Sequence, residues 1–185
     1  MTKARIVLAL TAGAAIVAIV GCAPKRQPPP PAPPPTALPA ERPAERPLPT
    51  SAYLLKVASI DLYEIRSGEL ALERSGDPRN RDYAQRMIEA HRGLSAQLSM
   101  AGRRLNLLPP NTLQPEQQQW LDQLSATTSP AHFDATYRRQ QMVAHDMSYR
   151  AHAAYAYGGD SPTLRQVARH AAGVEQEHGR RMRMM

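Results

Sequence analysis

The sequence predicts an all-α fold: a four-helix bundle, ferritin-like, with a short extra helix in the long connection between its second and third long helices. Three observations carry this. From residue 50 onward the chain has few β-branched residues and no run of alternating apolar and polar positions. Its apolar residues recur at three- and four-residue spacing through four long segments. The breaks between those segments are two tight turns, separated by one long connection that holds a short helix of its own. Two hairpins joined by a long connection suit a bundle with one crossover, although an up-down bundle with a decorated loop gives the same layout.

The N-terminus comes before any of this. "MTKAR" carries Lys3 and Arg5, and "IVLALTAGAAIVAIV" carries no charge, which together read as a secretory signal over residues 1–21. A spanning helix needs roughly 20 apolar residues, so the run is short for a permanent anchor. It ends in Ile19, Val20, Gly21 and Cys22, which resembles the bacterial lipobox, whose cysteine receives a diacylglyceryl group and becomes the new N-terminus. Cys22 is the only cysteine, so no internal disulfide is possible. Two or more acyl chains suffice for stable attachment to a bilayer. Ala23, rather than Asp, follows it, and by resemblance to lipoprotein sorting this implies the outer membrane. Residues 22–49 then form a proline-rich linker, extended because each proline fixes φ and lacks an N–H.

Residues 50–185 form the bundle domain. A first helix is expected over about 51–75, stopped by "GDP". A second spans about 78–107, with Ala84, Met87, Ile88, Leu94, Leu98, Ala101 and Leu105 on one side and Pro109 and Pro110 beyond its end. "PEQQQWLDQLSA" gives the short helix, with Pro115 in its first turn. A third long helix begins near Ser129 or Pro130 and ends at "GGDSP". Asp160 or Ser161 can cap the fourth, which runs to the C-terminus.

The net charge is +7, but the basic residues are scattered and no helix shows a dense basic stripe with interleaved aromatics. That argues against a nucleic-acid partner; the charge suits a solvated surface or anionic envelope surfaces. No Gly-rich phosphate loop is present, and with Cys22 taken by lipid no Cys/His pair is available for nucleophilic catalysis.

The apolar stripes contain groups that are costly to bury unpaired. His91 lies in line with Met87 and Leu94, His145 with Tyr137, Gln141, Ser148 and His152, and Glu64 beside Ile60 and Ser67. Glu175 and His178 lie in line with Ala171 and Met182 and form one E-x-x-H, whose members share a helix face. Di-iron bundles carry that motif twice, whereas here Ile88 and Met142 stand three residues before His91 and His145. The available set is His91, His145, His178, Glu64 and Glu175, with Asp61, Glu89 and Glu177 nearby. It is nitrogen-rich and suits one transition-metal ion (Zn, Cu, Mn or Fe) better than an oxygen-bridged pair. A ferritin-like, metal-dependent oxidase or peroxidase is an alternative, although the single E-x-x-H argues against a full di-iron site. A buried, metal-free His/Glu network in a non-catalytic envelope module is the other reading. Met87, Met142 and Met182 sit beside these histidines and read as flexible core filler, and His132 and His170 as surface residues.

The stretches "YEIRSGELALERS", "YAQRMIEAHRGL", "FDATYRRQQMVAH" and "LRQVARHAAGVEQEH" resemble the bacterial family called domain of unknown function 4142, or DUF4142. The resemblance implies an exported protein, often a lipoprotein, with a ferritin-like bundle. Its pattern falls on Glu64, on Met87 and His91, on Phe133, Asp134, Tyr137 and His145, and on His178. It departs at Ala90, where the family places an Asp next to the helix 2 histidine.

Overall fold

The computed structural model of the protein describes residues 45–185. The signal segment, Cys22 and the proline-rich stretch as far as residue 44 lie outside the described residues. The helices are α1 (Thr50–Arg74), α2 (Pro78–Arg103), α3 (Pro115–Ser125), α4 (Pro130–Gly158) and α5 (Pro162–Arg183). Among the described residues, no helix is long and apolar enough to cross a membrane.

Local chemistry sets most boundaries. Proline occupies the first turn of α2, α3, α4 and α5, where its missing N–H costs nothing. The residue before it caps three of these helices: Asp77, Ser129 and Ser161 accept from the backbone N–H of Arg79, His132 and Leu164. The end of α2 differs from expectation. The helix stops at Arg103, before the proline pair, because the chain reverses on Gly102. The N–H groups of Leu105 and Leu107 both donate to the Gly102 carbonyl at 2.9 Å. Asn106 adopts φ 55°, a left-handed conformation that asparagine tolerates. A Cβ on residue 102 would lie 2.2 Å from the Leu107 oxygen, so glycine is required there.

The helix directions decide the topology. Tyr53, near the start of α1, bonds His152 near the end of α4, while Ser75, just past α1, bonds Asp134 at the start of α4. α1 and α4 are therefore antiparallel neighbours. Tyr83, early in α2, reaches His178, late in α5, and Leu98 packs in one cluster with Leu164 and Ala168, so α2 and α5 are antiparallel too. With tight α1–α2 and α4–α5 hairpins, the order is up-down-down-up, the single-crossover arrangement of ferritin-like bundles rather than a simple up-down bundle. The crossover climbs the outside of α1 and α4 and carries α3, which docks through Ser59: its hydroxyl accepts from the Gln114 N–H at 2.7 Å and donates to Gln117 at 3.0 Å. Tyr63 and Gln140 complete the seat, with Gln140 donating to the Trp120 carbonyl.

The apolar core is divided. One cluster, around Tyr53, Leu98, Tyr155 and Leu164, fills the end where α1 begins. A second, around Ala84, Met87, Phe133 and Met182, fills the opposite end. Polar residues from all four long helices lie between them.

Candidate metal centre

Each long helix sends its polar residue inward from the middle of its buried face. Glu64 on α1, His91 on α2, His145 on α4, and Glu175 and His178 on α5 are all buried. His91, His145, Glu175 and His178 each offer a ligand atom, and these atoms lie within 4.8 Å of one another. The three imidazole rings stand 5.3 to 5.8 Å apart, centre to centre. Glu64 borders the group, its Oε1 being 4.0 Å from His145 Nδ1.

The second layer is specific. His91 Nδ1 meets Asp61 Oδ1 at 2.9 Å, and Asp61 Oδ2 accepts from Ser95 at 3.2 Å. His145 Nδ1 meets Glu175 Oε2 at 2.9 Å, its Nε2 meets the Tyr83 hydroxyl at 2.6 Å, and Ser148 donates to Glu175 Oε1. One further imidazole, His152, is buried toward the α1-start end of the bundle, where its Nδ1 meets the Tyr53 hydroxyl at 2.9 Å. A cavity of about 210 Å³ between α1, α2 and the start of the crossover reaches Ser95 from the outside.

Several buried polar atoms at the site have no hydrogen-bond partner: both carboxyl oxygens of Glu64, His91 Nε2 and His178 Nδ1. Such atoms are rare in folded proteins and call for an ion or water. Three imidazoles with carboxylates make a donor set that first-row transition metals accept, so the residues fit a metal ion. The Asp61–His91 pair supports that fit, because a ligating histidine commonly donates its other ring N–H to a carboxylate.

The charges are interdependent. Burial disfavours the His91 cation, but Glu175, the Asp61 bond and Glu64 outweigh it and raise the imidazole to about 9. Burial likewise pushes Glu175 up, yet His91 and the His145 bond hold its carboxyl down at about 2. His178 is lowered to about 3 by burial and by the neighbouring His91 and His145. Burial raises Glu64, with His145 and His91 opposing.

Other residues read from the sequence lie elsewhere. Glu89 bonds Gln85 on the surface, and Glu177 pairs with Arg180 and Arg181 there. Met142 is exposed, while Met87 and Met182 are buried in the apolar cluster. His132 and His170 are exposed. Sequence reasoning missed Tyr83, although Tyr83, Met87 and His91 follow one another at four-residue spacing on a single stripe.

A family model described as a domain of unknown function, DUF4142, matches residues 34–185. The chain belongs to the DUF4142 family. No curated protein matches it. Solved structures do. The DUF305 fragment from Deinococcus radiodurans is similar at TM-score 0.63 and 15% identity, over 75% of this chain and 96% of that one. CopM in its Cu(I)-bound form is similar at TM-score 0.61 and 14% identity, over 74% of this chain and 94% of that one. CopM in its Cu(II)-bound form gives TM-score 0.61 and 13% identity, over 75% and 95% of the two chains. At these identities the likeness is one of fold. It shows this DUF4142 protein sharing its bundle architecture with both.

Proposed function

We propose that this DUF4142 protein is a lipid-anchored envelope protein, held through Cys22 on the periplasmic face of the outer membrane, whose bundle binds one transition-metal ion. The observation that carries the metal reading is the meeting of three imidazoles and Glu175 inside the bundle, beside buried donor atoms such as His91 Nε2 and His178 Nδ1 that have no hydrogen-bond partner in the protein. His91, His145 and His178 are the nitrogen ligands, Glu64 and Glu175 supply oxygen, and Asp61 orients His91. Copper is the first metal to test, since a similarly folded bundle, CopM, is known in Cu(I)- and Cu(II)-bound forms. The anchor reading rests on the lipobox-like "IVGC" and the linker after it. The charge suits anionic envelope surfaces as a further partner.

One observation favours the metal-free alternative: both nitrogens of His145 and both oxygens of Glu175 already have partners within the protein. A single experiment separates the two. The full chain, extracted from envelopes in detergent, is analysed for metal by mass spectrometry as isolated and after incubation with Cu, Zn, Mn or Fe. One equivalent of metal, lost in a His91→Ala/His178→Ala variant, is expected. No stoichiometric metal under any condition leaves the closed hydrogen-bonded network as the function of the cluster. The intact mass of the same preparation tests the anchor, which requires a diacylglyceryl increment that a Cys22→Ala variant lacks.

A further inference from the structure

His145 differs from the other two imidazoles at the centre. His91 and His178 each keep one ring nitrogen without a partner, while both nitrogens of His145 are engaged. Their roles follow from the partners. Glu175 accepts from Ser148 at Oε1 and meets His145 Nδ1 at Oε2, and a carboxylate can only accept. His145 Nδ1 therefore donates to Glu175, which leaves Nε2 to accept. Tyr83 faces that nitrogen with a phenol, which has a proton to give. Its O–H donates to the Nε2 lone pair across 2.6 Å. While Nδ1 stays on Glu175, this lone pair is the one His145 can offer a metal ion.

A second acceptor is in place. The Tyr83 oxygen also lies 3.3 Å from the main-chain carbonyl oxygen of His178. A phenol has one proton to donate, so the two contacts are alternatives as donations. We propose that Tyr83 is a hydroxyl latch on the metal centre: it covers a lone pair of His145 while the site is metal-free, and its side chain moves aside to donate to the His178 carbonyl when a metal ion takes that nitrogen. The proposal rests on the metal-binding reading above and makes Tyr83 a positioning residue, not a ligand. His178 and Glu64 would offer their unpartnered atoms to a metal ion first, and His145 would join once the latch had moved. The exchange keeps the phenol hydrogen-bonded in both states, so no buried hydroxyl is orphaned.

The test uses the full chain in detergent with Zn²⁺ alone, which is diamagnetic and colourless. Affinity is read by competition with a chromophoric chelator. The tautomer and ligation of each imidazole are read by long-range ¹H–¹⁵N NMR. Tyr83→Phe removes the latch and leaves His145 Nε2 bare, so it should bind Zn²⁺ about five-fold tighter than wild type, the equivalent of one ordinary hydrogen bond no longer displaced. Its metal-free form should melt lower than wild type, with the gap narrowing once Zn²⁺ is bound. In the wild-type protein, His145 Nε2 should show an accepted hydrogen bond without metal and a metal-bound shift at saturation. Equal or weaker binding by Tyr83→Phe overturns the latch, as does a His145 Nε2 resonance that stays put while His91 and His178 shift. If Tyr83→Phe fails to fold, the wild-type titration decides alone. Absence of Zn²⁺ binding in both proteins overturns the latch together with a zinc-binding site, whereas binding that leaves His145 untouched overturns the latch only.

Discussion

At the scale of single residues, Asp61 decides how His91 presents itself. Asp61 is fully buried on α1, bonded to the imidazole on one oxygen and to Ser95 on the other. By accepting at Nδ1 it turns Nε2 toward the centre. The family pattern places an acid beside the helix 2 histidine, and Ala90 stands there in this chain. The orienting carboxylate comes instead from the neighbouring helix. Asp61→Asn preserves the volume but lets the amide donate, so the imidazole no longer has a reliable acceptor at Nδ1. Metal affinity should fall about 10- to 100-fold, the usual effect of losing such a partner, measured by chelator competition against wild type. The side chains at the centre were legible because each long helix carries an imidazole or carboxyl on an otherwise apolar stripe. Their partners were harder to read. Asp61 was visible only as a nearby acid, and nothing singled out Tyr83, because which atoms meet depends on how α1, α2 and α4 are registered against one another.

At the scale of elements, one acidic residue closes each end of the bundle. Asp160 accepts from Thr50 and Tyr155 and ties the α4–α5 turn to the start of α1. Asp134 does more at the other end. Its carboxylate accepts from the Ser75 hydroxyl, from Asn80 Nδ2 at 2.9 Å and from the Asp77 N–H at 3.1 Å, so α4 holds the whole α1–α2 turn. The preceding residue, Phe133, is buried with the Arg74 guanidinium over its ring. This gives the Phe-Asp pair of the family pattern a structural meaning apart from the metal centre. Asp134→Ala strands several donors at a largely buried position and should destabilise the domain by about 3 kcal/mol, while Asp134→Asn, which keeps one acceptor, should cost about 1 kcal/mol, both read from denaturant midpoints. Helix starts were legible from Asp77, Ser129 and Ser161, each followed by proline. The end of α2 was not, because Gly102 and Asn106 form a reversal inside a segment whose apolar spacing continues to Leu105, and periodicity alone does not report a φ of 55°. The crossover direction was also hidden, since a sequence gives the length of a connection but not which end of the bundle it reaches.

At the scale of the whole molecule, the layer of His and Glu residues that divides the core makes stability depend on pH in two opposite ways. His91 has a folded-state value of about 9, above the ordinary histidine value of 6.5. Its contribution is therefore complete below about pH 6.5 and disappears as pH rises through about 9. His178, at about 3, has the reverse sign: its contribution is complete above about pH 6.5 and is lost as pH falls toward 3, because the unfolded chain takes up a proton that the folded one refuses. Glu175, at about 2, is likewise lost on the acid side, between its ordinary value of 4.5 and about 2. The metal-free protein should thus be most stable near pH 6.5. Raising the pH from 6.5 to beyond 9 should cost about 3 kcal/mol through His91 alone. Metal reverses the alkaline limb. Folded His91 keeps its proton until about pH 9, and that proton competes with the ion, so affinity should increase with pH up to about 9, and the loaded protein should lose little of its stability between pH 6.5 and 9. Melting curves of the metal-free and loaded full chain at intervals from pH 4 to 10 check this. A loaded protein that falls off above pH 7 in step with the metal-free one would mean that His91 is not a ligand and that its charge serves only to neutralise Asp61 and Glu175 within the bundle.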